Sequence, residues 1–137
     1  MNLTTGVIFV MNALRLNYVS CVGNTAEIDK VLRSGADVNA KDKHGMTALM
    51  CAALHGHAEA ATLLIHAGAD VNAKNENGET ALMWAISGGY TKIAEQLLKN
   101  GADVNVRSKY GLTALKSARG NGNEEAVKLL LDAGAKV

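Results

Sequence analysis

Apolar side chains recur at helical spacing in three similar stretches of the chain. In each stretch they lie three and four positions apart, which places them on one face of an α-helix. They are Ala61, Leu64 and Ile65, then Ala94, Leu97 and Leu98, and finally Val127, Leu130 and Leu131. Each stretch stops at a Gly-Ala pair, where glycine can adopt the left-handed conformation that ends a helix. The pattern predicts three short amphipathic helices at equal intervals.

A second, more apolar helix is predicted ahead of each of these. A threonine precedes each apolar run, and its hydroxyl can accept a hydrogen bond from a free backbone N–H of the first helical turn. A glycine closes each run, so the chain can reverse there into the amphipathic helix. The threonines are Thr47, Thr80 and Thr113, and the glycines are Gly56, Gly89 and Gly122. The sequence therefore predicts pairs of antiparallel helices.

These helix pairs repeat with a period of 33 residues. Residues 37–69 and 70–102 are identical at 16 positions in a comparison without gaps, and their Gly-Ala pairs keep the same register. Two helices of about nine residues bury too little surface to be stable alone, so neighbouring pairs must stack on one another. The period divides the chain into units at 4–36, 37–69, 70–102 and 103–135.

Each threonine opens a similar six-residue motif, at residues 47–52, 80–85 and 113–118. With the 33-residue period, these motifs resemble the Thr-Pro-Leu-His-x-Ala signature of ankyrin repeats. Alanine replaces the proline of that signature, and methionine or lysine replaces the histidine. The resemblance implies an all-α solenoid of four stacked helix-turn-helix ankyrin repeats with hairpin-like connecting loops, forming the single domain 1–137. Residues 4–36 form a degenerate N-terminal capping repeat in this interpretation, and residues 103–135 form the C-terminal capping repeat.

Polar residues replace apolar ones in the two outer units. Lys116 occupies the position of Met83, and Glu27 occupies the position of Ala60. The ends of a stack face water, so this exchange is expected of terminal repeats. We therefore expect a complete short array, with Val7–Met11 covering the first unit in place of a hairpin.

The resemblance also implies a binding surface. In ankyrin repeats, the tips of the connections and the exposed edges of the first helices line a concave face that binds other proteins. Positions that vary between units are free for this role, while repeated positions serve packing. The candidate residues are Lys41, Lys43, His44, Met46, Leu54 and His55, then Lys74, Glu76, Asn77, Glu79 and Ser87, and finally Arg107, Lys109, Tyr110, Leu112 and Asn121. The tips are basic, acidic and basic in turn, with Met46, Leu54, Tyr110 and Leu112 as apolar anchors.

This surface predicts a non-enzymatic protein–protein interaction module whose partner is another protein. The alternative is that these residues are ordinary solvated side chains. At first-helix spacing, Trp84 is interpreted as packing between units and not as a binding anchor.

Composition excludes several other classes. Lysine and arginine number 14 against 13 acidic residues, so the net charge of +1 argues against a nucleic-acid partner. No apolar run approaches the ~20 residues of a membrane span. Cys21 and Cys51 form no CxxC motif, so a disulfide framework is not expected. We expect a cytoplasmic monomer without a nucleic-acid or membrane partner.

No motif indicates catalysis or a cofactor. Asp37 and Asn39 begin like a calcium loop, but Lys41 and Ala48 occupy later ligand positions, so we interpret these polar side chains as fastening the connections to their neighbours. His55 and His57 form a His-x-His pair, for which we favour a structural role. A ligand- or metal-regulated binding protein that uses this pair, or an engineered repeat scaffold, remains the alternative.

Overall fold

Eight α-helices form the regular structure in a computed structural model that describes residues 4–137, apart from the side chains of residues 5 and 9. The helices are α1 (Thr5–Cys21), α2 (Thr25–Arg33), α3 (Ala48–His55), α4 (Ala58–His66), α5 (Ala81–Gly88), α6 (Thr91–Lys99), α7 (Ala114–Gly120) and α8 (Glu124–Asp132). Residues 4–137 contain no β-strand. The predicted all-α solenoid is confirmed.

The helices are arranged in two rows. The odd-numbered helices pack one on the next from α1 to α7, the even-numbered helices form a second row from α2 to α8, and each pair is joined by a tight turn. The core lies between the rows. Ala52, Ala85 and Ala118 have no exposed surface, and Leu49, Leu82 and Leu115 are buried beside them. Small side chains therefore allow α3, α5 and α7 to approach closely, with leucine filling the layers between them.

The predicted helix starts are confirmed at all three threonines. Thr47 Oγ1 accepts a hydrogen bond from Met50 N at 3.3 Å, and the same bond recurs at Thr80 and Thr113. The threonine hydroxyl thus caps each helix although the family's proline is replaced by alanine.

The predicted helix ends are confirmed in two units and shifted in the third. Gly56 and Gly89 follow α3 and α5 in the left-handed conformation, with φ of 76° and 77°. In the last unit, α7 ends at Gly120 and the right-handed Asn121 caps it, so the left-handed glycine, Gly122, comes one residue after the cap.

Helix α1 is much longer than the other helices of its row. It has 17 residues, whereas α3 and α5 have eight and α7 has seven. Thr4 caps it, since Thr4 Oγ1 accepts from Val7 N at 3.2 Å. Counting back 33 positions from the start of α3 leads to Arg15, so residues 5–14 extend the first unit's helix in place of a hairpin. No helix within the described part of the chain is long and apolar enough to cross a membrane.

The prediction that Val7–Met11 covers the first unit is wrong. These residues belong to α1, and Val7, Ile8, Val10 and Met11 are each between 45% and 56% exposed. Packing against α2 and α3 uses the opposite side of α1, where Leu16 is buried. These four side chains lie on the exposed side of α1 and therefore do not cover the first unit.

Candidate functional site

Three hairpin connections present the predicted binding residues. Each connection closes on itself through its backbone: Asp42 N donates to Met46 O at 3.0 Å, and the equivalent bonds recur from Asn75 N and from Ser108 N. The side chain of the first residue supports the same turn, because Asp42 Oδ1 accepts from the backbone nitrogens of His44 and Met46 at 2.8 and 2.9 Å. Asn75 Oδ1 and Ser108 Oγ do the same in their own connections.

Sequence reasoning missed these three turn-capping residues. Asp42, Asn75 and Ser108 differ in chemistry, so identity between units did not reveal them. Their signal is that a side chain with a turn-capping oxygen recurs every 33 positions.

The tips of adjacent connections are joined by backbone hydrogen bonds. Glu76 N donates to His44 O at 3.0 Å, and Lys109 N donates to Asn77 O at 2.8 Å. The approach is close: a Cβ added at Gly45, where φ is 79°, would lie 2.9 Å from Glu76 N. The three tips therefore form one continuous row, which holds their side chains in a fixed order.

An asparagine ladder fixes the bases of the connections. Asn39 Oδ1 accepts from Asp70 N at 2.7 Å, and its Nδ2 donates to Gly68 O at 3.3 Å. Asn72 and Asn105 repeat both bonds one and two units later. The aspartates contribute as well, since Asp37, Asp70 and Asp103 each accept from the backbone nitrogen two residues ahead. The interpretation of these polar side chains as fasteners of the connections is confirmed.

A comparison of the sequence with known protein families agrees with this repeated geometry. A sequence model of the family described as ankyrin repeats (3 copies) matches residues 16–108 and 72–137. The chain belongs to the ankyrin-repeat family. No curated protein matches the chain significantly. The resemblance drawn from the Thr-Ala-Leu motifs is confirmed, and the division of the ankyrin array into four units at the stated boundaries stays a prediction.

The charged candidate residues of the ankyrin connections lie on the surface. The exposed ones are Lys41, Lys43, His44, Lys74, Glu76, Arg107 and Lys109. Two contacts link the first tip to the second: Lys41 Nζ donates to Lys74 O at 2.8 Å, and His44 Nδ1 lies 3.3 Å from Glu76 Oε1. The first and second tips are therefore coupled by their side chains as well as by their backbones.

The four apolar anchor candidates divide into two kinds. Met46 and Leu54 are only partly exposed, and Met46 packs against the core, with Asn75 Nδ2 3.4 Å from its sulfur. Tyr110 is 75% exposed and Leu112 is 40% exposed. The structure thus leaves the apolar contact area of this surface mainly on the third tip, where Lys109 Nζ lies 5.8 Å from the centre of the Tyr110 ring.

The remaining polar candidates are partly engaged within the protein. Asn77 and Glu79 are half-buried, and Glu79 Oε1 accepts from Asn75 Nδ2 at 3.0 Å. Ser87 and Asn121 are exposed at the ends of the first helices, where Asn121 Nδ2 donates to Ser87 O at 3.3 Å. These residues stiffen the surface while part of each remains accessible.

The two histidines of the His-x-His pair have different surroundings. His55 is exposed, whereas His57 is half-buried and its Nε2 donates to the carbonyl oxygen of Cys21 at 3.0 Å. A Cβ at Gly23 would lie 2.5 Å from His57 Nδ1, so this ring packs directly on the turn after α1. The structural role of His57 is therefore to tie the second unit to the first. Within residues 4–137, no group of three or more His, Cys, Asp or Glu side chains is arranged to hold a metal ion.

Trp84 is half-buried and packs against the hydrophobic core. This placement confirms that Trp84 is a packing residue, while its position between units stays a prediction.

Proposed function

We propose that this ankyrin-repeat protein binds a folded protein partner through a concave surface formed by its three connection tips and the exposed edges of α3, α5 and α7. Ankyrin repeats are generally protein–protein interaction modules. The observation that carries the proposal for these particular residues is the row of backbone bonds between the tips.

The row supports binding because it lowers the entropic cost of association. A surface that must become ordered on binding loses part of its interaction free energy, whereas a surface fixed beforehand does not. Each tip is held by its own turn, by the neighbouring tip and by the asparagine ladder at its base. The partner therefore meets side chains whose backbone positions are already set.

The chemistry of the surface indicates the kind of partner. An exposed aromatic side chain beside exposed basic groups is typical of binding hot spots, because tyrosine and arginine bury contact area and form directed bonds. Tyr110, Arg107 and Lys109 supply this combination at the third tip, and Lys43 supplies a separate positive charge at the first. Glu76 lies between them and interrupts the positive potential. The surface fits a protein with two acidic patches and an apolar depression opposite the third tip.

The experiment compares two triple variants of the full chain as bait. One replaces Lys43, Arg107 and Tyr110 by alanine. The control replaces Lys92, Lys128 and Leu131, which are also two exposed basic residues and one exposed apolar residue but lie on α6 and α8. Proteins captured from lysate by the unmodified chain are quantified by mass spectrometry, and binding of each captured protein is then measured with purified components.

We expect the first variant to lose capture of a defined protein and the control to keep it, while helical circular dichroism is the same for all three chains. Equal capture by both variants would refute the proposed surface. Loss of capture in the control alone would place binding on the outer helices.

A further inference from the structure

Helix α1 carries an apolar face that no other part of the described structure covers. Seven large apolar residues on this helix and its C-cap are between 45% and 68% exposed. They are Val7, Ile8, Val10, Met11, Leu14, Tyr18 and Val22. Only five other large apolar residues of the described chain are exposed, and they are scattered over the N-cap of α6, α8, the third tip and the C-terminus. Isolated exposed apolar residues are normal, but a contiguous set of this kind marks an interaction site.

The spacing of these residues places most of them on one side of the helix. Val7, Met11, Leu14 and Tyr18 are separated by four, three and four positions, which forms a continuous stripe along a helix. The opposite side of α1 packs against α2 and α3 and is buried as well. The exposed side of α1 is therefore apolar, whereas the exposed side of a surface helix is normally polar in soluble proteins.

The other end of the stack shows the contrast. Helix α7 carries Lys116 and Arg119 as exposed residues, which are suited to water. The single charged residue of α1 is Arg15, whose guanidinium bonds Glu27 on α2 at 2.6 Å and holds the pKa of that carboxyl below its ordinary value. Arg15 and Glu27 neutralise one another, so the α1 face offers no net charge to an acidic peptide or to an anionic membrane surface. Its chemistry fits an uncharged apolar helix.

The size of the face agrees with an interface between two proteins. A helix of 17 residues is about 25 Å long. Seven half-exposed apolar residues offer an area on the order of 500 Å², close to the largest apolar patches found on monomers. A stable complex buries about 800 Å² on each partner, so α1 alone supplies more than half of that area.

We propose that a second copy of this chain covers the face, with α1 of one protomer packed against α1 of the other in a two-fold symmetric dimer. The chain itself supplies a helix of the required length and apolar character, and a two-fold interface is the commonest way in which identical surfaces meet. None of the seven residues of this face belongs to the proposed partner-binding surface, so the two proposals can be tested with different variants. It replaces the monomer expected from the sequence.

The test measures the mass of the full chain by analytical ultracentrifugation over a wide range of protein concentration. We expect twice the protomer mass of 14.3 kDa at high concentration and dissociation on dilution. Leu14→Glu and Tyr18→Glu each place a carboxylate in the stripe, and each is expected to weaken dimerisation by at least about a hundredfold because a charge would be buried in an apolar interface. Both positions are exposed in the protomer, so the helical circular dichroism should not change.

Leu131→Glu is the matched control. Leu131 is also an exposed leucine, at 40% against 58% for Leu14, but it lies on α8 at the other end of the stack, so this variant should dimerise like the unmodified chain. A second measurement uses Leu14→Cys: under mild oxidation this variant should give a cross-linked dimer in higher yield than either the unmodified chain or Leu131→Cys.

Four results would overturn the proposal. They are a monomer at every concentration, a dimer that survives both glutamate variants, a range of larger aggregates in place of a dimer, and binding of the monomer to neutral phospholipid vesicles through α1. The last result would show that lipid, and not a second copy, covers the face.

Discussion

Replacing Asn72 by alanine tests how the connections are held together. Asn72 Oδ1 accepts from Asp103 N at 2.7 Å, and its Nδ2 donates to Gly101 O at 3.0 Å, so one side chain joins the end of one unit to the start of the next. The variant removes both bonds and leaves both backbone groups without a protein partner.

The magnitude follows from these two bonds. An intramolecular hydrogen bond contributes about 0.5 to 1.5 kcal/mol, so the pair contributes about 1 to 3 kcal/mol. Asn72 is exposed, and water can replace part of what is lost. We therefore expect the free energy of unfolding to fall by about 1 to 2 kcal/mol, which lowers the melting temperature by about 4 to 8 °C in a domain of this size.

Urea denaturation followed by circular dichroism measures this change, with Asn100→Ala as the matched control. Asn100 is also an exposed asparagine, but it is the C-cap of α6 and its Nδ2 donates at 2.7 Å to Gln96 O of that helix, within a single unit. Asn100→Ala should lower the free energy of unfolding by less than half as much as Asn72→Ala. If Asn72→Ala and Asn100→Ala destabilise the protein equally, the ladder does not hold the units together and the reasoning is wrong.

Three further predictions concern single side chains. Thr80→Ala should lower the free energy of unfolding by about 1 to 2 kcal/mol in urea denaturation, because it removes the oxygen that caps α5. A smaller loss of stability in Thr80→Ser would show that the hydroxyl is responsible. Gly45→Ala should destabilise the protein more than Gly68→Ala. Both glycines have positive φ, but only a Cβ at Gly45 would meet the backbone of the next tip. Equal melting temperatures of the two variants would contradict this expectation. Burial and the adjacent Cys21 thiol raise the pKa of Cys51. At pH 8, iodoacetamide should therefore modify Cys21 faster than Cys51, as measured by mass spectrometry. Equal rates of modification would show that Cys51 is accessible.

The raised pKa of Cys51 also makes the free energy of unfolding depend on pH. The folded protein holds the thiol proton more tightly than the unfolded chain does. The resulting stabilisation is complete below the pKa of an unfolded cysteine, about 8.5, and is lost as the pH rises through the folded value. Cys51→Ala should flatten the alkaline decline in melting temperature.

The helices could be predicted because their causes are local. The threonine at each helix start and the helical spacing of apolar residues act within a few positions, and the 33-residue period then requires stacking. The role of Asn39 as a fastener was also predictable from its residue type, although its partner Asp70 was not.

The row of tips could not be predicted in the same way. Its bonds join backbone atoms of residues 32 positions apart, such as His44 and Glu76, and no side-chain pattern marks them. The placement of Val7–Met11 failed for another reason. An apolar run shows that a segment avoids water, but it does not show which side of the helix its neighbours cover.

The hydrogen bonds between the tips determine which surface residues can be substituted without loss of the fold. They are made by main-chain atoms, which every amino acid except proline supplies, so exposed residues such as Lys43, Lys109 and Tyr110 can be exchanged for any other residue without breaking them. The backbone atoms of each loop therefore stabilise the fold, while its side chains determine which partner is bound. A library that randomises only these exposed positions should therefore retain the fold in most of its members while altering what they recognise.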